Sequence, residues 1–283
     1  MQSGLSESWV TGKLACGLGN RLFQLANAHT MAKQWNRPLV FAMPYCLPSE
    51  HGNYDTIFKM FPNVPKIWKA EADICFEQET VFKYILLPQD PPGNRILLKG
   101  FWQAAAYVSD SFEPSWDAIA DRSGLLARWN LTTHDQKKKT AFLHVRLGDY
   151  QILPHHQVNL LAYFATCIKN FPEDTRFLVF SDTPEVARTL PVFNDRCVFV
   201  DETDEYKALF LMSQCWAGSI SANSTFSWWG AFFGRQASPD QASYKSYMPG
   251  KWFVEYKEST QPIYPLWATV VPIVPPSTEV KYS

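Results

Sequence analysis

The chain has 283 residues, 46% of them hydrophobic and 15% aromatic, which is material for one large or two medium packed domains rather than a disordered chain. Its 26 basic and 27 acidic side chains leave a formal net charge of −1, which speaks against broad electrostatic capture of nucleic acid or of an anionic membrane. No apolar run approaches the roughly 18 residues of a membrane span, Met1–Ser8 lacks the basic start and apolar core of a signal peptide, and the six scattered cysteines form no C-x-x-C pair. The expectation is a soluble cytoplasmic protein with free thiols, or a Golgi-lumen one should a membrane anchor be missing from this chain.

Trp9–Ala15 reads as a strand feeding the turn Cys16-Gly17-Leu18-Gly19-Asn20, after which Leu22, Leu25, Ala28, Ala32 and Trp35 recur at helical spacing. Leu39–Ala42 is the next strand, so the chain opens β-α-β with glycines at its first strand–helix junction. Glycine there either lets backbone approach a ligand or packs the helix close on the strand. A dinucleotide fingerprint wants a third glycine where Leu22 stands, which argues against a nicotinamide or flavin site.

Residues 43–92 give mixed signals, with many prolines and no dominant period. Ile96–Gly100 is a strand that ends at Phe101-Trp102-Gln103, where Trp102 could stack on a sugar ring and Gln103 bond its hydroxyls. The alternative is Trp102 in the core and Gln103 at the surface. Ser115–Trp129 is predicted helical, and the polar, basic stretch Thr132–Lys139 is predicted to be a loop at a domain boundary.

Thr140–Val145 opens the second half as a strand ending in Arg146-Leu147-Gly148-Asp149-Tyr150. A strand over Phe177–Phe180 ends in Ser181-Asp182, with Pro184 placed for a first helical turn, and Cys197–Val200 is a third strand. Asp204 caps the next helix. In Asp201–Glu205 a D-x-x-D metal site competes with simple charge–dipole pairing at that helix start, and the second is preferred. Asn223, Ser224 and Thr225 crowd together before the aromatic run Phe226-Ser-Trp-Trp, which marks a helix N-terminus, either as plain capping or as an anion site. The strand–helix alternation predicts an α/β protein with a mostly parallel sheet, in which ligands bind beyond the carboxyl ends of the strands. His144 and Arg146, Ser181 and Asp182, and Asn223–Thr225 all fall at such ends. An arginine there suits phosphate, or pairs with Asp149. Asp182 would accept bonds from a base or ribose, or cap its own helix. His155 and His156 are candidates for general-base duty, at most one of them. The proline-rich tail from residue 254 reads as a surface strap, and the two N-x-T matches at Asn130 and Asn223 as chance.

In order, Gly17-Leu-Gly-Asn20, Gly100-Phe-Trp-Gln103, His144-Val-Arg-Leu-Gly-Asp-Tyr150, Phe180-Ser-Asp182, Leu211-Met-Ser-Gln-Cys215, Asn223-Ser-Thr-Phe-Ser-Trp-Trp-Gly-Ala231 and Met248-Pro-Gly-Lys-Trp-Phe253 resemble the α-1,2-fucosyltransferase family over residues 12–253. The resemblance implies a GT-B-type fold of two Rossmann-like domains facing a cleft, with 1–139 on the acceptor side, 140–253 binding the nucleotide sugar and 254–283 as strap. It implies metal-independent, inverting transfer of fucose from GDP-fucose to a glycan hydroxyl, with no other cofactor. Gly17, Gly19, Asn20, His144, Arg146, Ser181, Asp182, Asn223, Ser224, Thr225 and Phe226 would bind the donor, and Trp102 and Gln103 the acceptor. Arg146, Asp149 and His156 form the expected catalytic set. Two departures stand out. The family usually has a second arginine where Leu147 stands, and its Gln-Ser-Glu-Lys-Tyr-Phe segment here reads Gln103-Ala-Ala-Ala-Tyr-Val108. They keep open a transferase using another donor, such as UDP-xylose, and a non-catalytic nucleotide- or sugar-binding protein.

Overall fold

The computed structural model describes residues 7–49, 51–256 and 259–273, with strands and helices alternating along the chain as the α/β expectation requires. The chain divides into two compact units. One takes the described residues up to Arg122, together with Asp204–Phe210 and a stretch ending at Pro265; the other takes Ser123–Thr203 and most of what remains.

The first unit holds β1 (Trp9–Gly12), α1 (Leu18–Gln34), β2 (Phe41–Ala42), α2 (Thr56–Met60), β3 (Lys66–Ile67), β4 (Ile74–Glu77) and β5 (Arg95–Lys99). Strands in the order β1-β5-β4, and the pair β2-β3, are all parallel, and a bridge from Val10 to Leu39 stitches the two sets. Parallel strands are covered on both faces, and all four residues of β1 are buried accordingly. Gly12 is where α1 comes closest: a Cβ there would lie 2.7 Å from the Gln24 carbonyl oxygen, so no side chain fits between strand and helix. The strands between residues 43 and 92 run only two to four residues, which is why that region shows no period.

The second unit carries α3 (Arg122–Arg128), α4 (His134–Lys138), β6 (Thr140–Val145), α5 (Leu161–Lys169), β7 (Arg176–Ser181), α6 (Pro184–Ala187), β8 (Cys197–Phe199), the end of α7 (Glu205–Ser213), β9 (Gly218–Ile220), α8 (Thr225–Ala237), β10 (Lys245–Pro249) and β11 (Thr269–Val271). Its six-stranded sheet runs β11-β10-β9-β6-β7-β8 and every pairing is parallel. β6 is central and buried at all six residues. Leu143, Val145, Phe177, Val179 and Ile220 pack with Tyr163 and Phe164 of α5, each such side chain contributing about 1.5–3 kcal/mol of burial.

Three local expectations change. Within Ser115–Trp129 only Arg122–Arg128 is helical, because the Ser115 hydroxyl accepts the Asp117 N–H at 3.1 Å and its own N–H donates to the Met60 carbonyl at 2.7 Å. The Thr132–Lys139 stretch contains α4, started by a reciprocal capping box between Thr133 and Gln136. In the tail, β11 extends the sheet beside β10; residues 257–258 and 274–283 of the expected strap lie outside the described residues.

Candidate functional site

In the second unit the register sets Val145 beside Ser181 and Leu143 beside Ile220, so β6, β7 and β9 end along one edge. The chain leaves β6 through Arg146, whose guanidinium forks between two carboxylates: Nη2 reaches Asp149 Oδ1 at 2.6 Å and Nη1 reaches Asp182 Oδ2 at 2.9 Å. The plain salt bridge with Asp149 is therefore present, and a second partner joins it. Asp182 also accepts the Leu147 N–H on Oδ1 at 3.0 Å, which locks the exit of β6 to the exit of β7. Gly148 makes this possible, since a Cβ on it would overlap Asp182 Oδ2. Leu147, standing where the resembled family has arginine, packs its side chain against the β6–β7 core.

Tyr150 is a residue that sequence reasoning missed. Its hydroxyl donates to the Asn223 carbonyl at 3.0 Å, the Arg146 guanidinium lies over its ring at 5.5 Å, and the His156 imidazole stacks on it at 4.3 Å and 12°. Only its place as the last residue of the His144–Tyr150 segment marked it. The Asn223 side-chain amide donates to the carbonyls of His156 (3.1 Å) and Trp252 (2.9 Å), and the residue is 2% exposed. Its Nδ2 is thus engaged within the chain, and its position leaves no room for a glycan. His156 also meets Phe253 at 4.9 Å and His155 at 4.3 Å. Burial first, then the His155 charge, lowers its pKa to about 4, so the ring is neutral near pH 7.

His144 is 4% exposed; burial lowers its pKa to about 4, with Asp182 pulling the other way, and its Nδ1 has no partner. Its ring lies 5.7 Å from that of Phe226. Ser224 is the N-cap of α8 with no side-chain capping bond, and Thr225 and Phe226 form the helix's first turn, half-buried, so the dipole's positive end lies at these residues. Ser181 Oγ accepts the Thr183 N–H at 3.1 Å, just ahead of α6, where Pro184 occupies the first turn as expected. This unit therefore gathers a guanidinium, two carboxylates and a helix N-terminus on strands that end together.

In the first unit Gly17 is the N-cap of α1, with its nearest possible Cβ contact 3.8 Å away at His51, so it is not packed shut; Gly19 is buried in the first turn. Asn20 Oδ1 accepts from Gln103 Nε2 at 2.8 Å, joining the glycine turn to the end of β5. Trp102 is corrected. It is fully buried, edge-on to Tyr107 at 5.3 Å, and its backbone N–H donates to Gln78 Oε1 at 2.6 Å, so its ring belongs to the core and not to an acceptor surface. A backbone φ of +54° turns it inward. Arg21, which sequence reasoning passed over, is 1% exposed and donates to the carbonyls of Cys16, Tyr54 and Leu47, bracing the turn. The acidic run goes to separate partners: Asp201 pairs with Arg128, Asp204 caps α7, and Glu205 accepts the Asn53 N–H. Among the described residues no helix is long and apolar enough to cross a membrane.

Two Escherichia coli proteins resemble this chain: an alpha-1,2-colitosyltransferase, 28% identical over 80% of this chain and 87% of its own length, and the O-antigen biosynthesis glycosyltransferase WbnK, 33% identical over 44% and 42%. Solved structures of NodZ alpha-1,6-fucosyltransferase are also similar at 16% identity: one co-crystallised with GDP (80% of this chain, 91% of that one, TM-score 0.47) and one soaked with GDP-fucose (83%, 93%, 0.48). The protein is an enzyme, a glycosyltransferase of the fucosyltransferase type. It belongs to Glycosyl transferase family 11, whose family model matches residues 89–247, more than half of its length.

Proposed function

We propose that the chain transfers L-fucose from GDP-fucose to a glycan hydroxyl, with inversion, forming an α-1,2 linkage to galactose. The observation that carries this is the Arg146 fork at the strand edge, in the same unit as the N-terminus of α8. When the bond from the anomeric carbon to the β-phosphate oxygen breaks, the electron pair stays on that oxygen. A preorganised guanidinium and the positive end of the α8 dipole stabilise this charge without a divalent ion. The acceptor oxygen attacks the oxocarbenium-like carbon from the opposite face and gives up its proton, with Asp149 and His156 as candidate acceptors. Residues 140–253 then bind the nucleotide and 1–139 serve the acceptor, as the two Rossmann-like domains of a GT-B-type fold. Parallel α/β sheets in each unit support that division. Asn20 with Gln103 offers hydrogen-bonding groups on the acceptor side.

A second reading keeps the linkage and changes the sugar. The relative named for colitose matches 80% of this chain, which favours colitose as an alternative sugar. Turnover of GDP-fucose, GDP-colitose and UDP-xylose, each with and without EDTA, tests both. The expected result is GDP-fucose turnover unchanged by EDTA. Turnover of UDP-xylose alone, or activity lost on chelation and restored by a divalent ion, would overturn it.

A further inference from the structure

We infer that Tyr150 is a positioning residue for Arg146, one that supports the guanidinium without occupying its N–H donors; this rests on the reading that Arg146 meets a diphosphate. At rest Arg146 is held by Asp149 and Asp182 through its Nη atoms, the same groups a diphosphate must use. Once those donors turn to phosphate, hydrogen bonds to carboxylates no longer fix the side chain. The Tyr150 ring still does, because a cation over a ring is held by the face quadrupole and leaves the N–H groups free.

The ring is itself anchored by a closed circuit. Tyr150 donates to the Asn223 carbonyl, the Asn223 amide donates to the His156 carbonyl, and the His156 imidazole stacks back on Tyr150. A further bond from Asn223 to the Trp252 carbonyl, with Phe253 packed on His156, fixes the circuit to the segment after β10. Asn223 thereby acts as the bracket that aims the loop, through a side chain already engaged within the chain. Because Asn223 immediately precedes the N-cap of α8, the same circuit sets the Arg146 loop relative to that helix's first turn.

The test is a double-mutant cycle read by calorimetric titration with inorganic diphosphate and, separately, GDP-fucose. Tyr150→Leu should weaken diphosphate binding about tenfold in the wild-type background and less than about twofold in an Arg146→Ala background. Tyr150→Phe keeps the ring and loses the Asn223 bond, and should stay within about threefold of wild type. Equal losses in both backgrounds, or no loss in a Leu variant that melts like wild type, would overturn the inference. Were the Leu variant not to fold, Tyr150→Phe decides: a loss as large as that of Arg146→Ala would place the effect in the hydroxyl and not the ring. Diphosphate binding that follows the cycle while GDP-fucose fails to bind would sink the donor assignment and support the role of Tyr150.

Discussion

Replacing Arg146 by alanine removes the guanidinium from between two carboxylates whose side chains are only 25% and 22% exposed. The resting cost is the loss of two charge-assisted bonds, each about 1.5–3 kcal/mol when well shielded and less here because water reaches the pair. The Tm should therefore fall modestly, and the protein should remain folded. On the proposed reading the catalytic cost is larger, since the leaving diphosphate gains charge beside Arg146 as its bond to the sugar breaks. Losing one such preorganised donor is worth about 2.7–4 kcal/mol, or about 10²–10³ in kcat. Arg146→Lys restores charge without the fork, cannot span Asp149 and Asp182 together, and should recover only part of the rate. Steady-state kinetics at saturating donor, paired with thermal melts, measures both costs. A folded Arg146→Ala enzyme with wild-type turnover would refute the assignment of Arg146 to the leaving group.

Gly148→Ala should lower kcat by about tenfold or more and lower Tm as well, because the added methyl displaces Asp182 from one arm of the Arg146 fork and disturbs its bond to the Leu147 N–H. An unchanged kcat would mean that Asp182 does not aim Arg146. Trp102→Ala should cost about 3–5 kcal/mol of stability by opening a core cavity; a raised acceptor KM with an unchanged Tm would instead return Trp102 to the acceptor surface. For pH, His144 has its pKa lowered from 6.5 to about 4 in the folded chain, so the unfolded chain binds the extra proton first as pH falls. Stability should hold above pH 6.5 and decline from there to about pH 4. His144→Gln should soften that decline, which melting curves across this window will show; His156, with its pKa also lowered to about 4, shares the window.

Much of the second unit was legible because its chemistry sits at strand ends. Apolar runs such as Ala141–Val145 and Phe177–Phe180 announce buried parallel strands, and whatever polar residue follows each run is delivered to one edge. Arg146 and Asp182 follow from that rule, and Ser224 from the helix N-terminus signal of Asn223–Thr225. What stayed hidden depends on contacts distant in sequence. Asp182 reaches back 35 positions to Leu147, and Tyr150 reaches forward 73 to Asn223. Neither leaves a local pattern. Trp102 looked available to a sugar because a strand end usually faces outward. A positive φ and the Gln78 side chain turn it in, and these depend on Gly100 and on the pairing of β4 with β5. The T-x-x-Q of Thr133 and Gln136 was legible and was overlooked in favour of the lysines beside it.

The doubly paired guanidinium has a consequence for the end of the catalytic cycle. A bare cation at such an edge would cling to the spent nucleotide, and turnover would wait on its escape. Here Asp149 and Asp182 are tethered within 3 Å of the same nitrogens. If Arg146 takes the diphosphate as proposed, they act as resident competitors at high effective concentration, ready to reclaim it as the product loosens. The enzyme carries its own eluent.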